Sequence, residues 1–299
     1  MAKIWIILFS FILILVTTES AEQLSRKKRI IGGQPITKGD WPWLVSLRGK
    51  IVTKRLFGII PIEHKRLYCG GSIINERWIM TAAHCFDEGH EGRKPSNWKA
   101  RLSTVDLSVN FVDGVMHVFG TLFDQKEWRQ VFVDVDRIIM HPDYNKNNDW
   151  ENDIALIRLE ESVTISNHLR NIPLPPPNAS FPEVGQMCAI HGWGCTANGQ
   201  WLSSKAMSVN LPVYDKDNCQ RMFAMKSMNN RLCAGYIFQE KGICKGDSGG
   251  PLVCTNNTGE WVQAGIASFA SMSHPGNFPG VFTRVSSFVH WINRVISGY

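Results

Sequence analysis

Gly246-Asp247-Ser248-Gly249-Gly250-Pro251 is the most specific stretch of this 299-residue chain. Its glycines let the backbone turn sharply around a single serine. A serine hydroxyl is a poor nucleophile until a base takes its proton. Two further segments stand out upstream, Thr81-Ala82-Ala83-His84-Cys85 and Asn152-Asp153-Ile154-Ala155-Leu156. Each segment alone is weak, because a lone histidine is more often structural than catalytic. In this order they become strong, since they follow an abrupt junction in which Arg26-Lys27-Lys28-Arg29 runs directly into Ile30-Ile31-Gly32-Gly33. Four cations followed by an apolar-Gly-Gly start read as a processing site. Cleavage after Arg29 would free the amino group of Ile30.

The start of the chain supports a secretory route. Lys3 precedes a nearly unbroken apolar run from Ile4 to Val16, and small residues follow at Thr18 and Ser20. This is the pattern of a signal peptide over residues 1–20. The run is short for a hydrocarbon core of ~30 Å, which leaves a membrane anchor as the lesser alternative. Residues 21–29 would then be an activation propeptide, and without a cysteine it could not stay tethered by a disulfide. Eight cysteines suit an oxidising compartment, and Asn178-Ala179-Ser180 and Asn256-Asn257-Thr258 are sequons for glycosylation at Asn178 and Asn256. The expected location is extracellular.

Composition agrees with a folded body: 44% hydrophobic and 19% charged residues exclude a disordered or coiled-coil chain. The net charge of +6 is uneven, because residues 1–29 hold five basic and two acidic groups and the remainder is only +3. That gives no case for nucleic-acid binding. Beyond Ile30 the apolar runs are short, as in Ile154-Ala155-Leu156-Ile157-Arg158-Leu159, and Gly, Pro and Asn clusters separate them. This is strand-and-turn punctuation. One segment reads as a helix, with Ser286 or Ser287 as cap and Phe288, Trp291, Ile292, Val295 and Ile296 at helical spacing. The expectation is an all-β body with a C-terminal α-helix. Pro173-Leu174-Pro175-Pro176-Pro177-Asn178 marks a crossing between two halves near 165–178.

With these motifs in hand, the chain from Ile30 to Tyr299 resembles the chymotrypsin/trypsin family of serine proteases. The resemblance implies two antiparallel six-stranded β-barrels with the active site between them. It implies Ser248 as nucleophile, His84 as the base that takes and returns its proton, and Asp153 as the group that orients the imidazole. The N–H groups of Gly246 and Ser248 would form the oxyanion hole, and Asp247 would receive the new amino terminus of Ile30. Three disulfides follow from matched motifs: Cys69–Cys85, Cys188–Cys254 and Cys219–Cys233. Cys195 and Cys244 remain. The family usually pairs the cysteine four residues before the nucleophile with one near 271–275, and none stands there. A Cys195–Cys244 bridge or two free thiols are the options, the bridge being expected.

The implied specificity pocket also departs from trypsin-like members. Gly242 stands where they have an acid, so cleavage after Lys or Arg is not expected. Ile243 trims the base, Ser268 and Ala270 form one wall, and Gly280 keeps the back open. The expectation is cleavage after Leu, Met or Phe, and weakly after Ala. Lys245 would stand at the rim, favouring acidic neighbours in the substrate or simply solvated. Arg48 to Tyr68 and the segment around Asp87–Lys94 are longer than in minimal relatives. The first insert is either a solvated basic loop or an exosite for a glycosaminoglycan or other macromolecule. No cofactor is implied, and no metal site: the nine histidines do not cluster at ligand spacing, and Leu102-Ser103-Thr104 replaces the Gly-Glu pattern of calcium-binding relatives. The leading expectation is a secreted zymogen of a serine endopeptidase. The alternative is a catalytically silent binding protein on the same scaffold.

Overall fold

Strand-length apolar runs cannot bury both faces alone, so they close on themselves. A computed structural model describes residues 32–57, 59–107, 132–196 and 200–299. The expected signal peptide (1–20) and propeptide (21–29), with Ile30, lie outside the described residues. After β1 (Gln34–Pro35), the first barrel comprises β2 (Leu44–Leu56), β3 (Ile60–Asn75), β4 (Trp78–Thr81), β5 (Trp98–Leu102), β6 (Phe132–Met140) and β7 (Ala155–Leu159), closed in the order β2-β3-β4-β7-β6-β5. In the second half β8 (Met187–Gly192) precedes a small ribbon of β9 (Cys195–Thr196) and β10 (Gln200–Leu202). Then β11 (Met207–Tyr214), β12 (Arg231–Ala234), β13 (Pro251–Thr255), β14 (Trp261–Phe269) and β15 (Gly280–Arg284) complete a ring, β8-β11-β12-β15-β14-β13, with β1 added beside β11. All the pairings are antiparallel. The expected pair of six-stranded barrels is what the chain forms.

Each barrel has its own core. Leu47, Ile73, Ile79, Leu102, Leu156 and Ile157 fill the first, and Ile190, Leu211, Leu252, Ala264 and Phe282 the second, all essentially solvent-free. Each large aliphatic side chain so buried is worth about 1.5–3 kcal/mol. Polar groups join the barrels. Ser72 Oγ donates to Gln263 Oε1 at 2.6 Å, and Gly70 N donates to Ser248 O at 2.7 Å. Residues 160–186, with the proline-rich stretch, connect β7 to β8.

The C-terminal helix forms over Val289–Ser297, behind a tight 3-10 turn at Val285–Phe288. Neither serine caps it, contrary to the sequence reading. Phe288 occupies the cap position without a side-chain bond, and the Ser286 hydroxyl donates instead to Ala179 O at 2.9 Å. A tertiary acceptor has displaced the local one. Buried Phe288 and Ile292 carry the helix onto the core of the first barrel, with the His141 ring 4.9 Å from that of Trp291. The Arg48–Tyr68 insert is not an irregular loop. It extends the β2–β3 hairpin by cross-strand pairs from Arg48↔Tyr68 outward to Leu56↔Ile60. All eight cysteines are paired: Cys69–Cys85, Cys188–Cys254, Cys195–Cys244 and Cys219–Cys233.

Candidate active site

The register Thr81↔Ala155 between β4 and β7 brings two chain segments side by side. His84 follows β4 in a 3-10 turn, and Asp153 stands two residues before β7. Asp153 Oδ1 accepts from His84 N at 2.8 Å, and Oδ2 lies 2.7 Å from His84 Nδ1. Ser268 Oγ donates to the same Oδ2 at 2.5 Å, and Thr283 Oγ1 donates to the Asp153 carbonyl at 2.8 Å. Burial opposes ionisation of Asp153, but His84 and the Ser268 hydroxyl outweigh it and hold the carboxyl below its usual value. Burial likewise works against charge on His84. The Asp153 charge and hydrogen bond, with help from Asp87, more than compensate and raise the imidazole above its usual value. With Nδ1 committed to a carboxylate, Nε2 is left for the cleft.

Ser248 lies on the second barrel in the turn before β13 and lines the same cleft as His84. Gly246 has φ +100° and Gly249 φ +77°. A side chain on Gly246 would strike Leu202, and one on Gly249 would strike Thr81. Among the described residues neither the Gly246 nor the Ser248 N–H donates a hydrogen bond. No hydrogen bond joins Ser248 to the His84 ring among them either. Asp247 turns inward and is buried. It accepts from Gly194 N at 2.8 Å and Cys244 N at 3.0 Å, in space that exists only because Gly192 and Gly194 have no side chains. Burial pushes its carboxyl up to about 7 despite those two donors. No cation pairs with it among the described residues.

At the pocket the geometry is tighter than the sequence suggests. Ile243 is 3% exposed, and its Cγ1 and Cδ1 lie 2.5 and 2.7 Å from where a Cβ on Gly280 would stand. Ile243 and Gly280, the expected base and back wall, are thus in direct contact. Gly242 faces the opposite strand of chain, with Pro275 O only 3.0 Å from a Cβ built on it. Ser268, expected as a wall residue, is a partner of Asp153, and Ala270 is half-buried against the second core.

The Trypsin family model matches residues 30–292. The chain belongs to the trypsin family of serine proteases. It is 31% identical to a trypsin of Xenopus laevis over 288 residues, covering 96% of this chain and 98% of that one. It is 34% identical over 268 residues to transmembrane protease serine 9 of Rattus norvegicus, covering 90% of this chain but 22% of that protein.

Around the candidate site this trypsin-family chain has features that its motifs did not announce. The cleft, of about 1210 Å³, runs between Leu67 and Tyr68 on one side and Pro275 and Gly276 on the other, with the Cys69–Cys85 and Cys195–Cys244 bridges in its walls. The sulfurs of Cys69 and Cys85 lie close to His84 but are bonded to each other, so they offer no thiolate to a metal. Lys245 lines the cleft, as do Lys65 and Arg66 from the hairpin. The two inserts meet: Lys65 Nζ pairs with Glu88 at 2.6 Å and Arg55 Nη2 with Glu91 at 3.6 Å. Neither pairing was readable from sequence, because partners 23 and 36 residues apart on separate loops leave no spacing signal. His191 is buried flat on Trp41, with ring centroids 3.6 Å apart, and burial pushes it down to about 3, so it is a neutral structural group.

Proposed function

We propose that this chain is a secreted serine endopeptidase made as a zymogen. Ser248 would attack the scissile carbonyl, and His84 would take its proton and return it to the leaving amine. Asp153 would fix the imidazole and stabilise its charged form. The Gly246 and Ser248 N–H groups would bind the oxyanion, each such donor being worth roughly 3–4 kcal/mol. The observation that carries this reading is a histidine whose Nδ1 is fixed by a buried, triply hydrogen-bonded carboxylate and whose other face shares a cleft with Ser248.

Activation would follow cleavage after Arg29, by a furin-like convertase or a trypsin-like protease. The freed Ile30 ammonium would then supply the counter-charge that buried Asp247 lacks. Preference at the residue before the scissile bond would be apolar and of medium size. Ile243, packed against Gly280, would limit the depth of the pocket, and nothing on Gly242 pairs with a basic side chain. The exposed Asn178 suits a glycan. The hairpin insert would serve as an exosite for a macromolecular partner.

The test is cleavage at Arg29 followed by an organophosphonate probe and a peptide-library profile. The reading expects labelling of Ser248 and cleavage after Leu or Met. Complete cleavage at Arg29 with an unlabelled Ser248 would instead favour a silent scaffold.

A further inference from the structure

Leu56, Phe57, Ile59, Ile60 and Ile62 are gathered at the end of the β2–β3 hairpin. All are exposed, Phe57 at 86% and Ile59 at 76%. The other exposed large apolar side chains of the described residues stand singly or, at Ile237 and Phe238, as a pair. Scattered apolar side chains need no explanation, but a contiguous cluster marks an interaction surface.

Two further observations say what kind. Part of the tip's backbone is satisfied internally: Ile59 N donates to Leu56 O at 3.1 Å and Arg55 Nη1 donates to Ile59 O at 3.2 Å. A segment entering hydrocarbon must do this, because no water is there to help. Cations then stand directly behind the apolar end. The insert carries six Lys and Arg against one acid, Glu63. Arg55 and Lys65 are held by Glu91 and Glu88, whereas Lys50, Lys54 and Arg66 form no salt bridge among the described residues, with Glu63 opposite Lys54 in the hairpin register. At about 3.3 Å per strand residue, Lys54 lies some 7 Å behind Leu56 and Lys50 roughly 20 Å behind. Interfacial segments bury their apolar face about 5–10 Å into the headgroup and acyl boundary. The order from tip to base, apolar and then cationic, is therefore the order a bilayer with anionic headgroups presents. A glycosaminoglycan would use the same cations but leave the apolar end in water.

We propose that this hairpin tip inserts into the interface of an anionic phospholipid bilayer, with Phe57 and Ile59 at the acyl boundary and Lys54, backed by Lys50, at the headgroups. The enzyme would thereby act on substrates held at a membrane surface. The lipid-binding part of the inference does not depend on the protease reading, because it can be measured with Ser248 removed.

The experiment is co-sedimentation of the Ser248→Ala chain with vesicles of phosphatidylcholine, alone or with about 30% phosphatidylserine, at low and high salt. Binding should require phosphatidylserine and weaken with salt. The Phe57→Ser, Ile59→Ser double variant should bind about 10-fold more weakly or worse, and Lys50→Ala, Lys54→Ala about 10-fold more weakly at low salt. Phe57→Trp gives an independent reading, since brominated acyl chains should quench its added emission. With Ser248 intact and Arg29 cleaved, the tip variant should keep its rate on a small peptide substrate. A Ser248→Ala chain that fails to sediment with phosphatidylserine vesicles, or a tip variant in that background that sediments equally well, overturns the proposal. Retention on heparin without vesicle binding overturns it in favour of a glycosaminoglycan.

Discussion

Asp247 should make the stability of this protein depend on pH with opposite signs before and after cleavage. In the uncleaved chain burial raises its carboxyl from an ordinary 3.8 to about 7. An acid with a raised folded value keeps its proton longer when folded, so this group favours folding at low pH. That contribution is lost as pH climbs from about 4 through 7. Three pH units at about 1.4 kcal/mol each set an upper bound near 4 kcal/mol. Asp247→Asn removes the charge but leaves one of the two N–H donors, Gly194 or Cys244, facing an amide NH2, at a cost of about 1–3 kcal/mol. The uncleaved variant should therefore be more stable than wild type at pH 8 by roughly 1–2 kcal/mol. For a domain of this size that is a rise in Tm of about 2–8 °C. At pH 4 the advantage should vanish. After cleavage at Arg29 the sign should invert, because an inserted Ile30 ammonium without a counter-charge costs about 3–5 kcal/mol. Scanning calorimetry of both forms in a Ser248→Ala background measures all four cases. If uncleaved wild type and variant respond identically to pH, the buried ionisable carboxyl is refuted. If the cleaved variant is the more stable one, the Ile30 pairing is refuted.

Other outcomes follow from the same geometry. Asp153 holds His84 above its usual value, and catalysis needs the neutral ring, so activity should fall as pH drops through the His84 titration. Asp153→Asn should move that acid limb to lower pH while cutting kcat by about 10⁴-fold, as in related triad enzymes; an unmoved limb in a kcat/KM profile would refute the coupling. Gly242→Asp should gain less than about 10-fold on Arg substrates, because its carboxylate would be wedged against Pro275 O; an Arg-preferring variant would show that Gly242 opens onto the pocket. Asn178 is exposed, whereas the Asn256 side chain already bonds Thr258 and Glu260; mass spectrometry of the secreted protein should find far higher occupancy at Asn178, and equal occupancy would show that this turn opens before modification.

The site was legible where chemistry is local. Ser248 with its glycines, His84 beside Cys85, and Asp153 before an apolar strand each carry their signal within six residues. The two-barrel architecture came from the same motifs by resemblance; strand punctuation alone supported only an all-β body. What stayed hidden depends on residues far apart in the chain. The Ile243–Gly280 contact needs the loop before Ser248 and the start of β15 to be placed together. The bonds from Ser268 and Thr283 to Asp153 span more than a hundred residues. The hairpin insert escaped assignment as strand because its outer positions are exposed on both faces, so no period-two pattern marks them. Ser286 misled for the converse reason: a good local cap was outcompeted by Ala179 O.

The division of labour across the barrel interface bears on how the molecule is made. His84 and Asp153 come from the first barrel, whereas Ser248, Ser268 and Thr283 come from the second, and Gly70 N–Ser248 O ties them together. During biosynthesis the amino-terminal half leaves the ribosome first, without the Ile266, Val285, Phe288 and Ile292 side chains that complete the core of the first barrel. It then holds a histidine and an aspartate but no nucleophile. The later half holds a serine but no base. On the proposed reading neither half alone could cut a neighbouring chain, and hydrolytic capacity would arise only when the two barrels dock. Division of the candidate triad between two halves would thus be a first safeguard, separate from the proposed propeptide.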